Sequence, residues 1–347
     1  MKRRSFVSAA AAAGAGLATG TVTQGDGAVR VPMPVEIAPS WLTWVTAANA
    51  CLRALGCESD NVEVAGQSGY AFHMCITSVA GVEGPTTLPW EQLSAGCRRL
   101  GRATTEFQMG PRGDEPDWVA AEDERFRIAT REIDAGRPVV LWGITMPEFA
   151  AVVGYEGDEY LYRWSGDGGQ ELRMPHAESS DPGGPYLLAF PSSATVSRIE
   201  GDRAALVNAL TFLHRRPDRP EHRFGLEAYD RWIRALQGGH AKRFGNSYCA
   251  QCFGNAKQFA RDFVTRLRDR NVHAEAPLDG AVIAYQECAE ALDAVARLFP
   301  FPPGDDEAVA DPIAIDDACQ ALTKAREAEV RAVAAIEAAL AIDWPEA

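Results

Sequence analysis

The sequence predicts an α+β fold in which an antiparallel sheet is followed by a helical second half. Three observations support this prediction: strand-like runs over residues 136–164, a helical pattern that leads into them, and helical spacing of apolar residues beyond residue 200. The chain has 347 residues, of which 46% are hydrophobic, so it is long enough to bury a sizeable core. We expect a soluble globular protein with one large domain or two medium domains.

The predicted sheet rests on three runs that are rich in β-branched and aromatic residues. Gly, Pro and acidic turn residues separate these runs, which is typical of consecutive antiparallel strands. The runs are GRPVVLWG (136–143), EFAAVVGY (148–155) and EYLYRW (159–164). Two further strands are predicted over residues 170–174 and 186–190.

Helices are predicted on both sides of this sheet. Phe126, Ala129 and Ile133 recur at helical spacing, and Gly136 stands where a C′ glycine would end that helix. Near the start of the chain, residues 40–56 form the most apolar helix of the first half. Ser40 and Gly56 are able to cap its two ends. Shorter features follow: a glycine-spaced loop at 66–72, a helix at 90–100 and a polar link at 114–118.

The glycine-spaced loop does not indicate a phosphate site. It lacks the lysine of a P-loop and does not open an amphipathic helix after a strand. We expect instead a tight turn that brings Tyr70 and Phe72 into the core. From about residue 201 to the end, at 347, apolar residues recur at helical spacing between Pro-rich breaks, which predicts an all-α bundle or cap.

The first 28 residues have the pattern of an export signal. Arg3 and Arg4 precede Phe6 and Val7, and an Ala/Gly tract follows at 9–18. This pattern resembles a bacterial twin-arginine signal peptide, and a disordered Ala-rich tail is the alternative. The resemblance implies recognition by the export machinery and a periplasmic or extracellular protein. Because no later run reaches about 18 apolar residues, no membrane span is predicted in the mature chain.

The charge of the chain argues against nucleic acid as a partner. The formal net charge is −14, and basic residues do not form a stripe interleaved with aromatic residues. Such a surface repels phosphate backbones. We therefore expect a small molecule or a peptide as the partner, with no cofactor.

Eight cysteines allow several interpretations. An even number in an oxidising compartment permits disulfides, although buried thiols are equally compatible with the apolar neighbours of several of these residues. Cys249 and Cys252 form a CxxC motif placed at a predicted helix start, where a dipole would stabilise a thiolate. Structural disulfide, buried thiols, dithiol chemistry and metal binding all remain open for this pair. Of these alternatives, metal binding would need two more ligands, and because His240 and His273 lack ligand-pair spacing, no metal is predicted.

Taken in order, the early apolar helix, the glycine loop and the late strands GRPVVLWG, EFAAVVGY and EYLYRW resemble a papain-like fold over about residues 36–195. The variety is that of double-glycine leader peptidases and of the butirosin-biosynthesis-H N-terminal domain, whose better-known members are acyltransferases. The motifs FGLEAYDRWIRAL and LFPFP resemble the helical C-terminal half often attached to that domain. This implies a papain-like domain over 36–195 and a helical domain over 201–347.

The resemblance also implies where a catalytic site would lie. Such folds place a nucleophilic Cys at the helix N-terminus and a His at the start of a later strand. Carried over by spacing, these positions hold Thr43 and Glu148, and the orienting residue falls near Arg163 or Trp164. All three positions depart from the family pattern. Cys51 lies two turns along the helix and Cys57 lies beyond its end, so neither could face the same base.

Three functional hypotheses follow. The first is an exported, non-catalytic papain-like protein that binds a small molecule or peptide in a crevice edged by Trp41, Trp44, Trp142, Trp164 and Glu148; plain core packing of the four tryptophans is the alternative. The second is an acyltransferase or amide hydrolase with a rearranged nucleophile: Thr43, Ser40 or Cys75. The third is an envelope dithiol protein that works through Cys249 and Cys252.

Overall fold

The computed structural model describes residues 27–109, 115–179, 183–216, 219–304 and 307–345, with the backbone alone at 115–116. The strands are β1 Val29–Arg30, β2 Cys75–Ile76, β3 Thr105–Gln108, β4 Val139–Trp142, β5 Phe149–Glu156, β6 Glu159–Arg163, β7 Leu172–Pro175, β8 Tyr186–Ala189 and β9 Arg223–Phe224. The helices are α1 Thr43–Ala54, α2 Asn61–Ser68, α3 Trp90–Arg99, α4 Glu115–Asp134, α5 Arg198–Leu213, α6 Leu226–Gln237, α7 Arg243–Arg270, α8 Glu275–Leu298 and α9 Pro312–Leu340.

The chain divides into two units, and the division differs from the predicted one. The first unit contains the chain up to Asn61 together with Leu100–Thr195, and the second contains Val62–Arg99 together with Val196–Ala347. The boundary between Thr195 and Val196 lies close to the predicted one, whereas residues 62–99 belong with the second unit. The predicted signal, apart from its last two residues, lies outside the described residues.

The first unit is built on an antiparallel sheet in the order β3-β8-β4-β5-β6-β7, and β1 pairs with the end of β5. The three strands predicted over 136–164 are confirmed as adjacent antiparallel neighbours, β4, β5 and β6. Every residue of β4 and the first six residues of β5 are buried. Helices α1 and α4 both contact these central strands, and because consecutive buried residues point to alternate faces, both faces of the sheet are covered there.

Gly154 allows β1 to approach β5. A Cβ atom at this position would lie 2.4 Å from the Val29 carbonyl oxygen, which is closer than a side chain permits. The ladder between β5 and β6 is also irregular between Val152 and Gly154. The short first strand therefore depends on a glycine within β5.

Two helices of the first unit end at the glycines that the sequence identified. At the end of α1, Gly56 has φ +83°, and the Gly56 and Cys57 amides donate to the Arg53 and Leu52 carbonyls at 2.9 and 3.0 Å. Gly136, with φ +75°, ends α4 through the equivalent pair of backbone hydrogen bonds, donated by its own amide and by the amide of the next residue. Both ends are Schellman motifs, in which a left-handed residue satisfies the last carbonyls.

The second unit is predominantly helical, with one two-stranded sheet of β2 and β9. Helices α7, α8 and α9 form its centre, and α6 contacts α9. Buried alanines line much of α8 and α9, which allows these helices to approach closely. A helical C-terminal half is therefore confirmed, with the small sheet as an unpredicted addition.

Residues 61–68 form helix α2, so the prediction of a glycine-spaced loop at 66–72 was wrong over its first part. Gly66 lies within this helix, and glycine is required there because the Phe263 ring occupies the space that a Cβ would fill, at 2.0 Å. Tyr70 and Phe72 are buried, as predicted. The predicted polar link at 114–118 was also wrong from Glu115 onward, since α4 begins there.

An ionic network holds α2 in the second unit. The Arg270 side chain donates to Glu63 at 2.7 Å and to Asp202 at 2.6 Å, joining α7 to α2 and α5. Asp202 is fully buried, and Asn271 donates to it as well, at 2.9 Å. Buried carboxylates are stabilised by such charge-assisted bonds, so this network links α2 to α5 and α7 within the second unit.

The glycine caps make a testable prediction about stability. Gly56→Ala forces a Cβ into a left-handed conformation, and we expect it to lower the free energy of unfolding by about 1 kcal/mol. Gly201→Ala is the matched control, because Gly201 lies inside α5 with its nearest neighbour, the Arg99 side chain, at 3.8 Å. There we expect no loss, and a gain of up to about 1 kcal/mol. Urea denaturation of the full chain measures both, and equal effects of the two substitutions would contradict the capping role of Gly56.

Candidate functional site

Thr43 and Glu148 lie side by side in the first unit. The Thr43 hydroxyl donates a hydrogen bond to Glu148 Oε2 at 2.7 Å, although 105 residues separate the two in sequence. The same hydroxyl oxygen accepts a hydrogen bond from the Phe149 amide at 3.3 Å. The predicted contact between these two positions is therefore present. It joins the first residue of α1 to the head of β5.

The segment before α1 determines where Thr43 lies. Ser40 does not cap the helix as predicted, because α1 begins three residues later, at Thr43. The Ser40 hydroxyl instead accepts a hydrogen bond from the Leu42 amide at 3.0 Å, in a turn that precedes the helix. Ser165 donates to the Ser40 carbonyl at 3.1 Å, so this turn is also bonded to the end of β6.

Glu148 is positioned by a tight loop between β4 and β5. The Gly143 amide donates to the Glu148 carbonyl at 3.1 Å, and the Glu148 amide donates to the Met146 carbonyl at 2.8 Å. Residues 145–147 of this loop are exposed, and Glu148 itself is half-buried. The carboxylate thus lies at the edge of the unit, beside a loop in contact with solvent.

Sequence reasoning missed the residue that fixes the other end of this loop. Arg125 of α4 is fully buried, donates to the Trp142 carbonyl at 3.0 Å and forms an ion pair with Glu122. The only sequence signal was an acid and a base three residues apart on one helix, which more often marks an exposed pair. Arg125 satisfies a carbonyl at the last residue of β4, just before the loop that carries Glu148.

The contacts of Thr43 define what its hydroxyl can do chemically. A hydroxyl has one donor and two acceptor sites, and here the donor and one acceptor site are used by Glu148 and the Phe149 amide. Thr43 is only 8% exposed. A carboxylate is a weak base toward an alcohol, because their ordinary pKa values lie far apart. The geometry is that of an ordinary hydrogen bond that joins a helix to a strand.

The predicted orienting positions hold side chains with other partners. Arg163 donates to the Gly169 carbonyl at 3.4 Å, and the Trp164 side chain bonds to Asp167. Burial raises the pKa of Asp167, and its bonds to backbone amides and to Trp164 act in the opposite direction. Neither position supplies an acid or amide that orients Glu148.

The predicted crevice with four tryptophan walls is corrected by the structure. Trp44, Trp142 and Trp164 are buried, and only Trp41 of the four is half-buried. The Trp142 ring packs against Phe149 with a centroid distance of 4.6 Å, and the Trp164 ring covers Gly166. These three side chains belong to the core, for which large aromatic residues supply much of the packing area. Trp41 and Glu148 are the two candidates with exposed surface.

The eight cysteines are all thiols, and seven of them are buried, with Cys57 the half-buried exception. Cys249 lies inside α7, past the start of that helix, and its thiol donates to the Gly81 carbonyl at 3.3 Å. Burial raises the pKa of the Cys249 thiol well above its ordinary value, and the thiols of Cys252 and Cys75 raise it further. This is the reverse of a reactive dithiol, which needs an exposed thiol with a lowered pKa.

The other candidate nucleophiles, and the histidine nearest to Cys75 in sequence, are placed where catalysis would be difficult. Cys75 and Cys51 are fully buried. Burial lowers the pKa of His73 to about 3, so its ring is neutral, and its Nε2 lies 3.2 Å from the Gly84 carbonyl oxygen. Ser40 is engaged by the Leu42 amide, as described above. Thr43 is therefore the only predicted nucleophile that the structure brings to a predicted base in the described ranges.

Within the described residues, no three His, Cys, Asp or Glu side chains are grouped closely enough to hold a metal ion. Across the same part of the chain, none of the helices combines the length and apolar character needed to cross a membrane. Comparison with family models gives no match, and comparison with curated proteins gives none either.

The contrast between Cys57 and Cys249 can be measured by alkylation. With iodoacetamide at about pH 8, we expect the folded protein to be modified first at Cys57, which has exposed surface. Cys249 should stay unmodified until the protein is unfolded, because burial disfavours its thiolate. Mass spectrometry of peptides identifies the modified residues, and Cys57→Ser is the control. Labelling of Cys249 or Cys252 at the rate of Cys57 would restore the dithiol hypothesis.

Proposed function

We propose that this protein is an exported, non-catalytic papain-like protein that binds a cationic small molecule or peptide at the edge formed by Trp41 and Glu148. The observation that carries the proposal is the contact between Thr43 and Glu148. Export rests on the twin-arginine pattern at Arg3 and Arg4, which lies outside the described residues and stays a prediction.

The placement of the two residues supports the papain-like part of the proposal. The family resemblance implies a nucleophile at the start of the first helix and a base at the head of a central strand. Thr43 is the first residue of α1, Glu148 immediately precedes β5, and their side chains lie 2.7 Å apart. Two positions carried over by sequence spacing alone thus meet in space, around an antiparallel sheet that has α1 packed on its central strands.

The non-catalytic part follows from the chemistry of the pair. An activated nucleophile needs a base matched to its pKa and a third group that orients this base. The group hydrogen-bonded to Thr43 is the Glu148 carboxylate, where the family has an imidazole. In addition, the Phe149 backbone amide donates a hydrogen bond to the Thr43 hydroxyl oxygen. Since Thr43 is also largely buried, a substrate carbonyl would have little access to the hydroxyl. The bond is better suited to holding α1 against β5.

The chemistry of the edge favours a cationic ligand. Glu148 is half-buried, and an ionised carboxylate attracts cationic groups. Trp41 is half-buried, and an indole face attracts ammonium and guanidinium groups. The net charge of −14 adds a long-range attraction for cations.

An acyltransferase or amide hydrolase is the second candidate, because a hydroxyl lies within hydrogen-bond reach of a carboxylate. In that case the Thr43 oxygen would attack the acyl carbon while its proton moves to Glu148. The proton would then pass to the departing group, and water or an acceptor amine would release the acyl group from Thr43. This candidate requires the second lone pair of the Thr43 oxygen to be accessible to the acyl carbon, although Thr43 is only 8% exposed.

Binding and turnover distinguish the two candidates. With benzyltrimethylammonium as the probe, calorimetry on the signal-free chain should detect binding that Glu148→Gln or Trp41→Leu weakens about tenfold. The neutral compound with carbon in place of the nitrogen should bind less tightly. Val119→Ser is the control, because Val119 is an exposed apolar residue on α4.

Turnover is measured on p-nitrophenyl acetate and on a fluorogenic dipeptide amide. Wild type and Thr43→Ala should give the same background rate. If wild type turns over either substrate and Thr43→Ala does not, although Thr43→Ala still binds the probe normally, the enzymatic function would replace the non-catalytic one. Absence of both binding and turnover would remove the proposal for this edge.

A further inference from the structure

A groove with a volume of about 720 Å³ lies along the seam between α8 and α9 in the second unit. Three alanines contribute to its lining, Ala291 and Ala294 from α8 and Ala321 from α9, and they are less exposed than the charged residues around them. The charged lining residues are exposed, so the groove is open to solvent. Small side chains below and charged side chains along the rims form a surface on which further helices can pack.

The two helices that form the groove are antiparallel. The Arg331 side chain forms an ion pair with Glu287, and a Cβ atom at Gly280 would lie 3.5 Å from the Ala335 side chain. As the residue number rises along α8, the number of its neighbour on α9 therefore falls. The end of the groove at Glu287 is shared with Arg331, and the end at Arg297 is shared with the first turns of α9.

The two ends of the groove carry opposite charge. Around Glu287, the lining has three acids and one base, which gives a formal charge of −2: Glu287, Glu290, Glu327 and Arg331. Toward Arg297, the lining has two bases and one acid, which gives a formal charge of +1: Arg297, Lys324 and Asp317. Among the described residues, neither Arg297 nor Lys324 has an ion-pair partner. Their charges are therefore available to a molecule that packs on the groove.

We propose that this groove is the contact surface of a homodimer, in which a second copy of the chain lays its own α8 and α9 antiparallel across it. In a two-fold dimer both copies use the same surface, so that surface must be complementary to itself. A two-fold axis at the middle of the groove meets this requirement, because it places the acidic end of each copy over the basic end of the other. The two acids of α8, Glu287 and Glu290, then face the basic end of the other copy, and this contact occurs twice.

The exposed face of α8 and α9 is large enough for a specific dimer. Helix α8 has 24 residues, which gives a length of about 36 Å at about 1.5 Å per residue. Two helices side by side are about 20 Å wide, so the face covers about 700 Å², close to the roughly 800 Å² per partner of a standard interface. Ile283, one turn before Glu287, adds an apolar side chain that is 61% exposed. A second copy would remove this side chain from water.

Charge reversal tests both the dimer and its orientation. Sedimentation velocity on the full chain should show a concentration-dependent dimer. Reversal of the basic end, by Arg297→Glu with Lys324→Glu, should weaken dimerisation at least about tenfold, because like charges then meet between the copies. Reversal of the acidic end, by Glu287→Lys with Glu290→Lys, should do the same. An equimolar mixture of the two variants should recover association, since the charges that meet are opposite again at both ends.

Arg53→Glu with Arg203→Glu is the matched control for these reversals. Both arginines are exposed and lie outside the groove, on α1 and α5, and their reversal changes the net charge by the same amount as that of the basic end. This control should dimerise as wild type does, and circular dichroism should show that every variant is folded. A wild type that is monomeric at the highest concentration tested would overturn the proposal. So would a dimer that survives reversal of either end, or two disrupted variants that do not associate when mixed.

Discussion

The hydrogen bond from Thr43 to Glu148 joins the start of the first helix to the head of the central strand, and the first unit is arranged around that junction. On one side, the turn at Ser40 delivers the chain to Thr43 and is itself bonded by Ser165. On the other side, the loop before Glu148 is closed by two backbone bonds and follows a carbonyl that Arg125 satisfies. Each of these two segments is held by local bonds, and in combination they place side by side two side chains that are 105 residues apart in sequence.

Under the papain-like fold that we propose, this junction explains how the positions of nucleophile and base can be kept without the chemistry of the family. In the papain-like arrangement that we infer, helix start and strand head must approach closely, whatever residues they hold. A threonine and a glutamate meet that requirement with a bond of about 1 kcal/mol or somewhat more, since one partner is charged. The geometry is then retained while the thiolate and imidazole chemistry is absent. What is left is the half-buried carboxylate of Glu148, together with a half-buried tryptophan two residues before Thr43, and we propose that these two side chains recognise a cationic ligand.

Local patterns predicted much of the fold. The strands over residues 136–164 and the glycine caps at 56 and 136 follow from alternation, turn residues and left-handed glycines, all of which act over a few positions. The placement of residues 62–99 could not be predicted this way. It depends on contacts between residues far apart in sequence. Arg270 binds Glu63, which lies 207 positions earlier, and the Phe263 ring fills the space beside Gly66. Likewise, sequence could not distinguish tryptophans in the core from those at an edge, because burial is decided by the other elements.

A double-mutant cycle on Thr43→Val and Glu148→Met tests the central claim most directly. Valine keeps the shape of threonine and removes the hydroxyl, and methionine keeps the length of glutamate and removes the carboxylate. If the pair is a structural bond between α1 and β5, the free energies of unfolding should show a coupling of about 1–2 kcal/mol between the two sites. A coupling of zero would contradict the account, because the two side chains would then contribute to stability independently.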